Sequence, residues 1–329
     1  MKRREFINTV AATGVAGLNI GRLAAITQTQ GEKDMAKKFE GVFVALTTPF
    51  DGDEVSTGKF RENIGKLNED DLSGYVVLGS TGECVSISDE ESGRLVKTAR
   101  DAAAPGRKVI VGTARESARL TVDFTNRMAE YGIDAALVRA PSYFKAKMTR
   151  EALKQHYLAV ADKAKVPVIL YNIPQNTGIM FESGMVAELA RHQNIIGLKE
   201  SAGNIFFLSE VIRQVPPDFV YLLGHGSAFL PALLMGASGA ILAVANAAPG
   251  ICSRIYRLFR KGKIKEAADL QLDLVPLSKA LETYGIAGLK YALDLEGRNG
   301  GPTRLPLLPP EEKAKTEIAG ILKSLNLIS

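Results

Sequence analysis

Ile195-Ile-Gly-Leu-Lys199-Glu200-Ser201 is an apolar run with the character of a buried strand, carrying a single lysine near its end. An ammonium with few water contacts is costly to keep charged, so a lysine held in such a run is drawn toward the neutral amine, a nucleophile for ketones. On these residues alone, snorkelling to solvent or pairing with Glu200 is the commoner fate of a strand-end lysine. Two other stretches shift the reading. Val168-Ile-Leu-Tyr171-Asn-Ile-Pro174-Gln-Asn176-Thr-Gly178 is a second apolar strand that ends in a tyrosine and runs into turn residues. Tyr75-Val-Val-Leu-Gly79-Ser80-Thr81-Gly82-Glu83 is a strand leading to two hydroxyls flanked by glycine. In a parallel α/β barrel the carboxyl ends of all strands share one face, so residues distant in sequence can converge there.

Strand-like runs begin near Gly41, Gly74, Lys108, Ile133, Val166, Ile195, Phe219 and Ser238, with room for one helix between each pair. This spacing predicts a (β/α)8 TIM barrel within residues 35–256. Ser88-Asp-Glu-Glu91 reads as a capping box opening a helix toward Ala104, and Glu116 to Tyr131 has helical periodicity. From Arg257 onward strand signals stop. Lys263 to Thr283, Ile286 to Leu295 and Pro310 to Leu325 read as helices, so residues 257–329 are expected to form a C-terminal helical appendage.

The three strand-end motifs, in this order and spacing, resemble those of the dihydrodipicolinate synthase and N-acetylneuraminate lyase family of pyruvate-dependent aldolases. The likeness runs from about Gly41 to the C-terminus. Ser142-Tyr143-Phe144-Lys145-Ala-Lys147-Met148, Pro174-Gln-Asn176-Thr-Gly178, Tyr284-Gly-Ile-Ala-Gly-Leu-Lys290 and Gly300-Gly-Pro-Thr-Arg304-Leu-Pro306 are most similar to its 4-hydroxy-2-oxoglutarate aldolase branch. The resemblance implies that Lys199 forms an imine with a 2-oxo acid, that Tyr171 moves protons, and that no separate cofactor is needed. It has the hydroxyls of Ser80 and Thr81 and the exposed N–H groups of their glycine-flanked turn hold the substrate carboxylate, with Thr81 also relaying protons between two tyrosines. Tyr143 matches a tyrosine that in the family reaches into a neighbouring subunit's site, which implies a homotetramer or homodimer. Thr48, Gly224, His225, Ile241 and Asn176 match substrate-contact positions.

One departure separates members of the family. Synthases carry an arginine two residues after the proline of the Tyr-Asn-x-Pro motif, where it binds the carboxylate of the second substrate; here that residue is Asn176. A neutral amide does not replace a bidentate guanidinium. The expected activity is therefore cleavage of 4-hydroxy-2-oxoglutarate or a related 4-substituted 2-oxo acid to pyruvate and an aldehyde, with Lys145 or Lys147 as candidate partners of a distal carboxylate. The alternatives are 4-hydroxy-tetrahydrodipicolinate synthase activity, from pyruvate and aspartate semialdehyde, and a keto-acid-binding protein without turnover. A binder has no use for a lysine, a tyrosine and a relay hydroxyl together.

Composition fits an enzyme with one large core: 329 residues, 46% hydrophobic and 23% charged. No basic stripe interleaved with aromatics accompanies the net charge of +5, which argues against nucleic acid as a partner. Cys84 and Cys252 lack metal-ligand spacing, and the three histidines form no ligand motif, so no metal is expected; His156 and His192 read as surface positions in helices. Met1-Lys-Arg3-Arg4-Glu-Phe6-Ile7, followed by a mildly apolar stretch to Ile26, is similar to a twin-arginine export signal over residues 1–34 and implies a periplasmic protein. Met35-Ala-Lys-Lys-Phe39 would serve instead as the start of a cytoplasmic form. No stretch reaches the ~20 clean apolar residues of a membrane span.

Overall fold

The computed structural model describes residues 38–329, so the stretch read as an export signal lies outside the described residues. Eight strands form one closed barrel: β1 Gly41–Ala45, β2 Gly74–Val77, β3 Lys108–Gly112, β4 Ala135–Arg139, β5 Val168–Asn172, β6 Ile195–Glu200, β7 Val220–Leu223 and β8 Gly239–Leu242. Every neighbouring pair is parallel, and β1 closes the ring by pairing with both β2 and β8. The strand starts expected from the sequence fall within two residues of those found. Around the ring lie α1 Thr57–Leu67, α2 Asp89–Ala102, α3 Ala118–Ala129, α4 Arg150–Ala161, α5 Ser183–Leu189, α6 Ile205–Gln214, α7 Phe229–Leu234 and α8 Pro249–Arg260. The capping box forms as read: Ser88 Oγ accepts from the Glu91 N–H at 3.2 Å, and the Glu91 carboxylate accepts from the Ser88 N–H at 2.8 Å.

Strand alternation divides the apolar residues into two layers. Phe43, Val76, Ile110, Leu137, Ile169, Leu222 and Ile241 fill the barrel interior. Val42, Val44, Tyr75, Val77, Val109 and Leu198 face outward into the larger core beneath the helices. The interior layer ends upward at Tyr171 and Lys199, so the site sits on the packed floor of the barrel, at the carboxyl end of its strands.

The chain then continues into α9 Ile264–Leu295 and α10 Glu312–Ser324. Gly285, at φ 64 and ψ −155, interrupts α9 between the two helices read from the sequence. A side chain would strain that backbone. Leu274, Leu277, Leu281, Leu289, Leu293, Ile318 and Leu322 bury one face of this pair in the main core. α9 thus packs against the barrel and also lies over its mouth, with α10 packed on α9. Among the described residues no helix is long and apolar enough to cross a membrane.

Candidate active site

Lys199 and Tyr171 are paired across β5 and β6, so the strand register alone makes them neighbours on the inner face. Lys199 is 4% exposed and Tyr171 5%. The lysine Nζ donates to Tyr171 Oη at 3.2 Å and lies 4.3 Å from the centre of its ring. Glu200 does not pair with this lysine. Its carboxylate, one residue on and therefore on the opposite side of the strand, accepts the N–H groups of Ala202 at 2.6 Å and Gly203 at 3.0 Å. Burial nonetheless holds the Glu200 carboxyl above the usual carboxylate range. Asn172, the amide of the Tyr-Asn-Ile-Pro motif, is fully buried: its Oδ1 accepts from the Phe181 N–H at 3.1 Å and its Nδ2 faces Glu200 at 3.4 Å.

A cavity of about 340 Å³ opens above the Lys199–Tyr171 pair. Ser80, Thr81, Asn176, Gly224 and Ile241 all reach it, as the sequence expected. Gly224 is needed for space, because a Cβ there would lie 2.1 Å from Ser201 Oγ. Three expected residues lie elsewhere. Thr48 is buried and its hydroxyl donates to the Gly82 carbonyl at 2.8 Å, so it holds the Ser80–Gly82 turn from beneath. His225 stands behind the lining, with Nε2 3.3 Å from Glu282 Oε2 and Nδ1 buried without a hydrogen-bond partner. Tyr143 is 80% exposed, on a loop whose N–H groups at Ser142 and Tyr143 donate to the Glu116 carboxylate at 2.8 and 2.9 Å.

A second cavity, of about 350 Å³, adjoins the first and shares Ser80 and Tyr171 with it. Arg115, Glu116 and Arg139 line it. Lys145 and Lys147 line neither cavity; both are exposed, Lys145 lying across the backbone at Gly178. His156 is not the surface residue expected of it: burial beside Tyr157 pushes its imidazole down to about 4. His192 lies in the turn after α5 rather than in a helix. Burial raises both thiols, Cys252 to about 12, so neither is a nucleophile at neutral pH.

The turn bearing Ser80 and Thr81 is bracketed by two residues in the left-handed region, Leu78 at φ 56 and Glu83 at φ 58. Such backbone costs roughly 1–2 kcal/mol per residue outside glycine and persists only where tertiary contacts impose it. At Glu83 those contacts come from the C-terminal region. Glu83, fully buried, pairs with Lys290 of α9 at 2.5 Å and accepts the Arg304 N–H at 2.9 Å. Lys290 also donates to the Pro302 carbonyl at 2.7 Å, and the Arg304 guanidinium donates to the Ser86 carbonyl and the Glu91 carboxylate. Beneath both cations lies the ring of Phe50, 4.4 Å from Lys290 and 4.5 Å from Arg304. α9 further supplies Ser278, Leu281, Glu282, Gly285, Ile286 and Leu289 to the cavity wall. No sequence signal marked Glu282, which sits in an ordinary amphipathic helix. Ser201 and Gln175, whose Nε2 donates to the Ser201 carbonyl at 3.1 Å, also line the cavity unforeseen, although both lie inside quoted motifs.

The sequence profile of the dihydrodipicolinate synthetase family matches residues 38–325. The chain belongs to that family. It is 37% identical over 295 residues to 4-hydroxy-tetrahydrodipicolinate synthase of Archaeoglobus fulgidus, covering 88% of this chain and all of that one. Among solved structures it is similar to the synthase of Cyanidioschyzon merolae with lysine bound, at 30% identity and a TM-score of 0.85, covering 88% of this chain and 99% of that one. It is likewise similar to an E. coli K12 prophage protein of the family in complex with pyruvate, at 28% identity and a TM-score of 0.83, with the same coverage. Enzymes of this family are carbon–carbon lyases that use no separate cofactor: a lysine forms a Schiff base with pyruvate, and this chain is such a lyase.

Proposed function

We propose that Lys199 is the imine-forming residue and that the enzyme cleaves a 4-hydroxy-2-oxo acid to pyruvate and an aldehyde. The observation that carries the first part is the buried Lys199–Tyr171 contact at the carboxyl end of the barrel. The Lys199 amine attacks C2 of the oxo acid, water leaves, and the resulting iminium is an electron sink. Deprotonation of the C4 hydroxyl lets the C3–C4 bond break, its electron pair moving into the iminium to give an enamine while the aldehyde departs. Protonation at C3 and hydrolysis then release pyruvate and restore the amine. Tyr171, 3.2 Å from the amine, is the proton carrier in this scheme. Because Ser80, and not Thr81, lines both cavities together with Tyr171, it is favoured over Thr81 as the relay, with Thr81 and the turn amides left to receive the C1 carboxylate. The exposed Tyr143 supports a homo-oligomer in which this side chain serves a neighbouring subunit.

Asn176 carries the choice of reaction. It lines the cavity, and among the described residues the lining contains no lysine or arginine besides Lys199 to hold the carboxylate of aspartate semialdehyde. The names of the similar proteins favour the second reading, condensation of pyruvate with that semialdehyde. The test is twofold. Borohydride reduction with pyruvate should add the mass of reduced pyruvate to a Lys199 peptide and fail in Lys199→Ala. Purified enzyme should then release pyruvate from a panel of 4-hydroxy-2-oxo acids faster than it consumes pyruvate with semialdehyde; the reverse ranking would establish the synthase reading.

A further inference from the structure

The described side chains lining the 340 Å³ cavity include one amine, Lys199, and one carboxylate, Glu282. The rest of the polar lining is neutral, comprising Ser80, Thr81, Tyr171, Gln175, Asn176, Ser201 and Ser278. Once Lys199 is an imine at C2 and the adjacent carboxylate is held at the Ser80–Thr81 turn, the remaining substrate chain meets a wall whose charged group is an anion. Glu282 is also held in place. Its Oε1 accepts from Ser278 Oγ at 3.0 Å, and its Oε2 faces His225 Nε2 at 3.3 Å. A carboxylate has about four lone-pair directions, so acceptor capacity remains for a ligand.

Resting on the imine reading above, we propose that Glu282 is a specificity residue that receives hydroxyl groups of the aldehyde half of the substrate and rejects a second carboxylate there. A hydroxyl donates to the carboxylate in a charge-assisted hydrogen bond. A carboxylate at the same place would sit beside a like charge with no cation in the cavity wall to compensate it, and the exposed Lys145 and Lys147 stand outside that wall. The substrate class this selects is a 2-oxo acid with a hydroxylated, uncharged distal chain.

The test uses two probes of equal length that cannot undergo C3–C4 cleavage because they lack a 4-hydroxyl: 2-oxoglutarate, which ends in a carboxylate, and 5-hydroxy-2-oxopentanoate, which ends in a hydroxyl. Each forms an imine with Lys199 by loss of water, and borohydride delivers hydride to the imine carbon to leave a stable secondary amine. The half-saturating concentration of each trapped adduct is measured by mass and expressed relative to pyruvate in the same protein. Wild-type protein should favour the hydroxyl probe by roughly tenfold, as one charge-assisted hydrogen bond set against a partly solvated like-charge contact implies. Glu282→Gln, which keeps shape and removes charge, should narrow that ratio about fivefold or more. Equal affinity of the wild type for the two probes, or a ratio unmoved in Glu282→Gln, overturns the assignment. Absence of any pyruvate adduct overturns the imine reading instead, and the assignment with it.

Discussion

Replacing Lys290 by methionine removes the cation from a pair in which both side chains are buried, Lys290 at 1% and Glu83 at 0% side-chain exposure. Burial draws the Lys290 ammonium below its ordinary range, and its contact with Glu83 opposes that shift. Methionine fills most of the same volume and can still lie on Phe50. The dominant effect is therefore an uncompensated carboxylate inside the protein, together with a Pro302 carbonyl that loses its donor. Breaking a buried pair in this way costs about 3–5 kcal/mol. With an unfolding entropy of about 2.1 cal/mol/K per residue over about 290 residues, that corresponds to a fall in Tm of roughly 5–8 °C. The assay is thermal and urea unfolding of wild type, Lys290→Met, Glu83→Gln and the double variant. Glu83→Gln with Lys290→Met leaves no buried charge and keeps an acceptor for the Arg304 N–H, so it should recover at least half of the loss. A single Lys290→Met variant within about 1 kcal/mol of wild type would refute the reasoning, because that is what a solvated, weakly coupled pair contributes.

Tyr171→Phe should keep the fold, the ring remaining in the inner layer, and lose turnover by roughly 10²-fold or more; a kcat near that of wild type would remove Tyr171 from the proton path. Asn176→Arg should shift the ratio of semialdehyde condensation to aldol cleavage toward condensation by about ten- to a hundredfold, measured as relative kcat/KM, since a charged bidentate hydrogen bond contributes roughly 1.5–3 kcal/mol. His156 gives a pH dependence of known sign. Its folded value of about 4 lies below the ordinary 6.5, so the unfolded chain takes up a proton that the folded one refuses, and stability falls as pH drops from 6.5 toward 4. Between pH 7 and 5 the wild type should lose about 2 kcal/mol more than His156→Leu in urea unfolding, and parallel losses would contradict the burial argument.

Lys199 and Tyr171 were legible because a strand has period two and a parallel barrel has one active face: an apolar run ending in a polar residue is then a residue aimed at that face. The same period should have excluded the Lys199–Glu200 pair, since adjacent strand residues point to opposite sides. The contact between Lys199 and Tyr171 was less legible, because it depends on the register of β5 against β6, which neither strand encodes alone. Thr48 shows the opposite limit. A match to a substrate-contact position places it at the site, yet here its hydroxyl donates to the Gly82 carbonyl. His156 read as a surface residue because its helix is amphipathic, but the burial of one imidazole depends on how α4 packs on the strands. Glu282 had no local signal at all: it faces substrate space because α9 folds back over the mouth of the barrel, some eighty residues beyond Lys199.

That return brings the C-terminal region to the candidate site. The Ser80–Gly82 turn needs left-handed backbone on either side, a state that Leu78 and Glu83 do not favour on their own. Glu83 is held in it by Lys290 and the Arg304 amide, and Arg304 in turn grips Glu91 at the start of α2, the helix that follows the turn. The same α9 that carries Lys290 presents Glu282 and Ser278 to the cavity. The two halves of α9, on either side of Gly285, therefore bear on the candidate site in two ways: Lys290 in the second half anchors the strained Ser80–Gly82 turn, and Ser278 and Glu282 in the first half line the cavity. Under the roles proposed above, a change of substrate would come from residues 278–286 of α9 without touching Lys199 or Tyr171, whereas weakening the Lys290 anchor would disturb the Ser80–Gly82 turn for every substrate.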